Sequence, residues 1–152
     1  ATNTMHKMAE QVEEATGLPL FHIADATADA LKQADCHTPL LLATQFTMEQ
    51  DFYKGRLIDK HQLQVVTPDE DGRTLIHEVI YHELCQGVVS DSSRDRYIAE
   101  INNVAQSHPI DSVILGCTEI GLLLSPSDHS LPLFDTTEIH CRYALAELAK
   151  LR

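Results

Sequence analysis

The chain has 152 residues, 43% of them hydrophobic and none of them Trp, which is enough for one compact domain with a real core and too little for two full-sized ones. It carries 23 acidic against 11 basic residues, a formal charge of −12, so nucleic acid would be repelled and a dicarboxylate ligand would depend on local donors rather than on net charge. No charged-then-apolar leader opens the chain, no stretch approaches the ~20 apolar residues that span a bilayer, and Cys36, Cys85, Cys117 and Cys141 form no C-x-x-C pair; a cytoplasmic protein with reduced thiols and no membrane partner is expected.

In chain order, residues 2–15 read as a helix ended by Gly17-Leu18-Pro19, and Leu20 to Ile23 as a strand. Asp25 is placed to cap a helix from Ala26 to Ala34, and Pro39 to Ala43 gives the next strand. Thr47 caps a helix through about Lys60, and Gln64 to Thr67 is a strand leading to Pro68. Asp71 to Cys85 reads as an amphipathic helix with Leu75, Val79 and Leu84 on or near its inner face, stopped by Gly87. Ser92 or Ser93 starts a helix to about Ser107, ahead of the apolar run Val113-Ile114-Leu115. A short strand from Leu131 to Phe134 then feeds a terminal helix from Asp135 or Thr136 to Lys150. Strands separated by helices of this size imply βαβ units, an α/β fold with a parallel sheet flanked by helices.

The chemistry concentrates at Gly116-Cys117-Thr118-Glu119, where a buried strand exits and α/β proteins place their ligands. A helix over Thr118 to Leu124 would aim free amides at the sulfur and lower the Cys117 pKa below the usual ~8.5. An isolated cysteine is more often a small core residue, but the hydroxyl and carboxylate beside this one favour function. His77-Glu78-Val79-Ile80-Tyr81-His82 is one residue too long for the H-E-x-x-H zinc motif, since histidines five apart on a helix diverge by about 140°, and no metal is expected there. His6 suits a capping or supporting role as well as proton transfer, while Cys36, Cys85 and Cys141 lack any such context and read as passive.

Four blocks carry a resemblance: Ala1-Thr2-Asn3-Thr4-Met5-His6, Ala43-Thr44-Gln45-Phe46-Thr47-Met48 with Phe52-Tyr53, Gly116-Cys117-Thr118-Glu119-Ile120, and Leu133-Phe134-Asp135-Thr136. In this order they are similar to the motifs of the aspartate/glutamate racemases, within the wider aspartate/glutamate/hydantoin racemase superfamily, and closest to bacterial members accepting both substrates. Alanine stands at position 1 where that family has its first catalytic cysteine, and Ala43 replaces a glycine. The resemblance implies racemisation without pyridoxal phosphate or other cofactor, one thiol removing the Cα proton and a second delivering a proton to the opposite face. It implies Cys117 as one acid/base thiol and Ala1 as the missing partner. Thr2, Asn3 and Thr4, with Thr44, Thr47, Thr118 and Glu119, are its substrate contacts; each also reads as a helix-start residue.

The same resemblance implies two similar α/β domains: residues 1–17 as the end of a first domain, 18–130 as the second, and 131–152 as a strand and helix returning to the first. The Gly-rich front of the family lies outside this sequence, so the chain reads as the C-terminal part of a longer enzyme. A small amino-acid substrate and a homodimer are the implied partners. Hydantoin racemase, maleate isomerase or arylmalonate decarboxylase are alternatives within the superfamily, and a non-catalytic racemase-derived binding protein is an alternative of another class.

Overall fold

A computed structural model describes residues 2–150. Its centre is a parallel three-stranded sheet in the order β1 (Pro39–Leu42), β2 (Ser112–Leu115), β3 (Leu133–Asp135). Every residue of β1 and β2 is buried, as continuous apolar runs covered by helices on both faces should be, whereas β3 is half-buried throughout. The register sets Leu42 beside Leu115 and Leu115 beside Asp135, so the three strand ends meet at one level. That level is where the loop after β2 delivers Cys117.

The helices are α1 (Ala9–Thr16), α2 (Ile23–Gln33), α3 (Gln45–Glu49), α4 (Asp51–Asp59), α5 (Glu70–His82), α6 (Asp91–Ser107), α7 (Ile120–Leu123) and α8 (Thr136–Lys150). Ile23, Ala28 and Leu31 of α2, Tyr53 and Leu57 of α4, Ile76, Val79 and Ile80 of α5, and Tyr97 and Ile101 of α6 close over the sheet in one core. Two buried phenols find partners inside it, Tyr97 donating to the Ile76 carbonyl at 2.8 Å and Tyr53 to the Thr27 hydroxyl at 3.3 Å. α8 packs against α2.

Several boundaries depart from the sequence expectation for local reasons. The helix expected over 2–15 starts as a 3₁₀ segment, Thr4–Met8, and becomes α-helical only in α1; Gly17, at φ 65°, ends it in the left-handed conformation. Leu20 to Ile23 is not a strand. Side chains there occupy groups a neighbouring strand would have paired: the Leu20 amide donates to Glu13 Oε1 at 2.8 Å, and His140 Nε2 meets the Phe21 carbonyl at 2.6 Å. The cap of α2 is His22, whose Nδ1 accepts from the Ala24 amide at 3.1 Å. Asp25 is drawn away to Arg56, which it holds at 2.8 Å through both carboxylate oxygens, and to Lys60 and His61 at 2.7 Å.

Thr47 lies inside α3 rather than at its start, and Gln50, in extended conformation, splits the expected helix into α3 and α4. Gln64 to Thr67 contributes one parallel bridge, Leu40 to Val66, before Pro68 removes the next donor. Asp69 and Ser90, not the residues just beyond them, cap α5 and α6 through the Gly72 and Ser93 amides. α5 ends at His82, and Leu84–Gln86 forms a separate 3₁₀ turn closed by Gly87. Among the described residues no helix is long and apolar enough to cross a membrane.

Candidate functional site

Gly116 makes the turn after β2 possible. Its amide donates to the Leu42 carbonyl at 2.7 Å, and a Cβ there would sit 2.8 Å from Leu41 Cδ1 and 3.1 Å from that same carbonyl oxygen. The chain therefore passes close over the end of β1 and presents Cys117, Thr118 and Glu119 to a cavity of about 270 Å³. The same cavity is lined by Thr2, Asn3 and Thr4 from the start of the chain and by Thr44 from the loop after β1. Seven of the nine residues singled out from the sequence thus meet at one cavity, although they come from three distant parts of the chain.

The other two behave differently. Thr47 is buried behind the wall, its hydroxyl 3.2 Å from that of Thr44 and 3.4 Å from that of Thr4, so it links two lining threonines instead of facing a ligand. Ala1 lies outside the described residues.

The sulfur's environment overturns the expected pKa. α7 begins only at Ile120 and has four residues, so no long helix points its amides at Cys117. Instead Cys117 donates its S–H to Glu119 Oε2 at 3.0 Å, and Thr118 donates to the same oxygen at 2.6 Å. Burial and the adjacent carboxylate push the thiol up to about 12, while the hydrogen bonds from Cys117 and Thr118 hold Glu119 below the usual carboxylate range. At neutral pH the pair is a thiol beside a carboxylate. Such a thiol can deliver a proton, and the thiolate it leaves can take one back when the direction reverses.

Three lining residues were not legible as site residues. Ile80 and Tyr81 from the end of α5 and Cys85 from the following turn complete the cavity wall. Tyr81 stacks on His77 at 4.5 Å, and His77 Nδ1 accepts from the Gln45 amide at 3.2 Å, which ties this wall to the loop after β1. The negative charge of Glu119 is felt at Cys85, whose pKa is raised by loss of solvent and by that carboxylate. Cys85, read as passive from the sequence, therefore shares the cavity with Cys117. Cys36 is buried and Cys141 exposed. The described residues contain no cluster of three or more His, Cys, Asp or Glu suited to a metal ion.

A parallel sheet carries a cysteine, a threonine and a carboxylate at the exit of its central strand, and a Thr-Asn-Thr segment lines the same small cavity. The chain belongs to the Asp/Glu/hydantoin racemase family, whose model matches residues 1–144. A candidate Asp/Glu racemase from Yersinia pestis has a similar structure, with TM-score 0.87 and 49% identity over 95% of this chain and 64% of its own. An aspartate racemase homologue from Pyrococcus horikoshii OT3 gives TM-score 0.87 and 34% identity over 98% of this chain and 64% of its own. A glutamate racemase from Actinobacillus pleuropneumoniae is 29% identical over 80% of this chain and 44% of its length. The chain thus spans less than two thirds of each of these three relatives.

Proposed function

We propose that this chain carries the substrate-binding half of a cofactor-independent amino-acid racemase, acting on aspartate and, as a second substrate, on glutamate. The observation that carries this reading is the hydrogen bond from Cys117 to Glu119 inside a cavity also lined by Thr2, Asn3, Thr4 and Thr44. Threonine hydroxyls provide donors for a carboxylate in a protein whose net charge would otherwise repel one. Cys117 serves as the proton-delivering thiol, held protonated by burial and by Glu119. Aspartate comes first because the Pyrococcus relative is an aspartate racemase homologue, and glutamate second because the Actinobacillus relative is a glutamate racemase.

Position 1 qualifies the activity. Two-base racemisation needs a second acid/base group on the opposite face of Cα, and the alanine methyl at that position neither accepts nor donates a proton. The unmodified chain is therefore expected to be inactive, and Ala1 supports the second reading, a non-catalytic binding protein of racemase descent. In this reading residues 18–130 are one racemase domain, with the strand of 131–152 paired to β2 and its helix packed on α2, and the outward apolar side chains Met5, Val12 and Leu18 of the first segments and Leu145 and Leu148 of α8 are left to meet another. Pairing of those faces in a homodimer, and residence in the cytoplasm with free thiols, complete the proposal.

The test is conversion of L- to D-aspartate, followed by chiral chromatography. The unmodified chain should show none, and Ala1→Cys alone should not suffice. Activity should appear when Ala1→Cys is combined with the front portion of a longer relative. Racemisation by the unmodified chain would overturn the two-thiol assignment.

A further inference from the structure

A second cavity, of about 560 Å³, lies between the first helical segments and α4 and shares no lining residue with the thiol cavity. His22 forms part of its wall from a position only 4% exposed. Its Nδ1 accepts from the Ala24 amide and burial keeps the ring neutral, so the single ring proton is assigned to Nε2. That nitrogen has no hydrogen-bond partner among the described residues, yet it is not sealed from solvent as the buried unpaired Asn3 Oδ1 is. It is a lone donor open to the cavity that its ring lines. A largely buried donor without an acceptor is costly, and a carboxylate arriving with a ligand is the strongest acceptor it can meet.

α4 supplies the complementary charge. Asp51, Gly55 and Asp59 follow one another four residues apart on one face of α4, and all three line this cavity. A Cβ on Gly55 would lie 3.9 Å from Asp51 Cγ and 3.8 Å from Asp59 Oδ2, so both carboxyl groups approach one point. A glycine inside a helix costs about 1 kcal/mol relative to alanine, and here it leaves a notch between two carboxylates. Neither of them, nor Glu10 of α1 on the same cavity, has an ion-pair partner among the described residues. The cations nearby are engaged elsewhere, Arg56 by Asp25 through two nitrogens and Lys7 by Gln50 and the ring of Phe46. We propose that this cavity binds an amino acid with a cationic side chain, whose carboxylate accepts from His22 Nε2 and whose ammonium groups are taken by Asp51, Asp59 and Glu10. Binding there draws on no residue of the thiol cavity.

Calorimetric titration of the whole chain at neutral pH with L-lysine, L-norleucine and cadaverine reads this directly, since norleucine lacks only the side-chain ammonium of lysine and cadaverine only its carboxylate. Lysine should bind about tenfold or more tightly than either, the worth of one hydrogen bond to a charged group. Asp51→Asn and Asp59→Asn should each weaken lysine by a similar factor and leave norleucine unchanged. His22→Asn, which keeps a capping oxygen at the start of α2, should weaken lysine and leave cadaverine unchanged. Glu119→Gln, in the other cavity, should alter none of the three. Norleucine binding as tightly as lysine overturns the role of the carboxylates, and cadaverine binding as tightly overturns the role of His22. No binding of lysine, or lysine binding lost in Glu119→Gln and kept in both aspartate variants, overturns the site itself. The aspartates are exposed on α4, so their variants decide the outcome even if His22→Asn does not fold.

Discussion

His22 makes the stability of this fold depend on pH in the range where most of its carboxylates do not titrate. The ring is 4% exposed, caps α2 through an acceptor nitrogen, and lies 4.7 Å from the ring of His6, itself 5.3 Å from His140. Burial, then the charges of Arg56 and His6, push its pKa down from 6.5 to about 3, against the weaker opposing pull of Asp25. A histidine depressed on folding binds its proton more readily in the unfolded chain. Its contribution is therefore complete above 6.5 and is lost as pH falls toward the folded value. From near pH 7 to near pH 5 that loss is about 2 kcal/mol, or roughly 4–8 °C in Tm for a chain of this size. His6, also lowered chiefly by burial, adds in the same direction, whereas Asp25 lies below its ordinary 3.8 and titrates under this window. His22→Asn isolates the effect, because asparagine caps at least as well through its side-chain oxygen and does not titrate. Urea unfolding followed by far-UV circular dichroism between pH 5 and pH 7 should show the variant's stability changing by about 2 kcal/mol less than that of the unmodified chain. An identical pH slope in both proteins would refute the reasoning.

Iodoacetamide should label the exposed Cys85 and Cys141 before Cys117, whose thiol is held protonated, and Glu119→Gln should bring Cys117 forward by removing the carboxylate charge beside it; mass mapping of the alkylated peptides decides the order, and early labelling of Cys117 in the unmodified chain would contradict its raised pKa. Gly116→Ala should cost about 1–3 kcal/mol in urea unfolding, since the new methyl group crowds Leu41 and the Leu42 carbonyl; an unchanged midpoint would mean that the turn is looser than its contacts indicate.

The parts of this fold legible in the sequence were those written in apolar runs. Pro39–Ala43 and Val113–Leu115 read as strands because continuous burial needs continuous apolar residues, the strands formed are Pro39–Leu42 and Ser112–Leu115, and the glycine after Leu115 marked the turn that presents Cys117. Motif order located Thr2, Asn3, Thr4, Thr44, Thr47, Thr118 and Glu119, and the cavity gathers all of them but Thr47. The acidity of Cys117 was misread because it depends on where the Glu119 side chain points and on α7 being only four residues long, neither of which a residue pattern encodes. Cys85 joins the wall only because α5 stops at His82 and turns, and nothing around it in the sequence signals a site. His22 was hidden inside Leu20–Ile23, an apolar stretch whose amide and carbonyl groups are taken by Glu13 and His140 from elsewhere in the chain.

The first two helical segments bury very little. The 3₁₀ turn Thr4–Met8 buries no residue, and α1 buries only Ala9. The segment is held down mainly by polar contacts, Asn3 to Thr136, Thr4 to Thr47, and Lys7 to Gln50 at 3.2 Å. Few buried apolar side chains place such a segment toward the low end of local opening free energies, and its opening would take Thr2, Asn3 and Thr4 away from the cavity. Only docked molecules present a complete wall. The apparent affinity for any ligand is then the intrinsic affinity scaled by the docked fraction, and a ligand that bridges Asn3 and Cys117 draws the start of the chain onto the sheet as it binds.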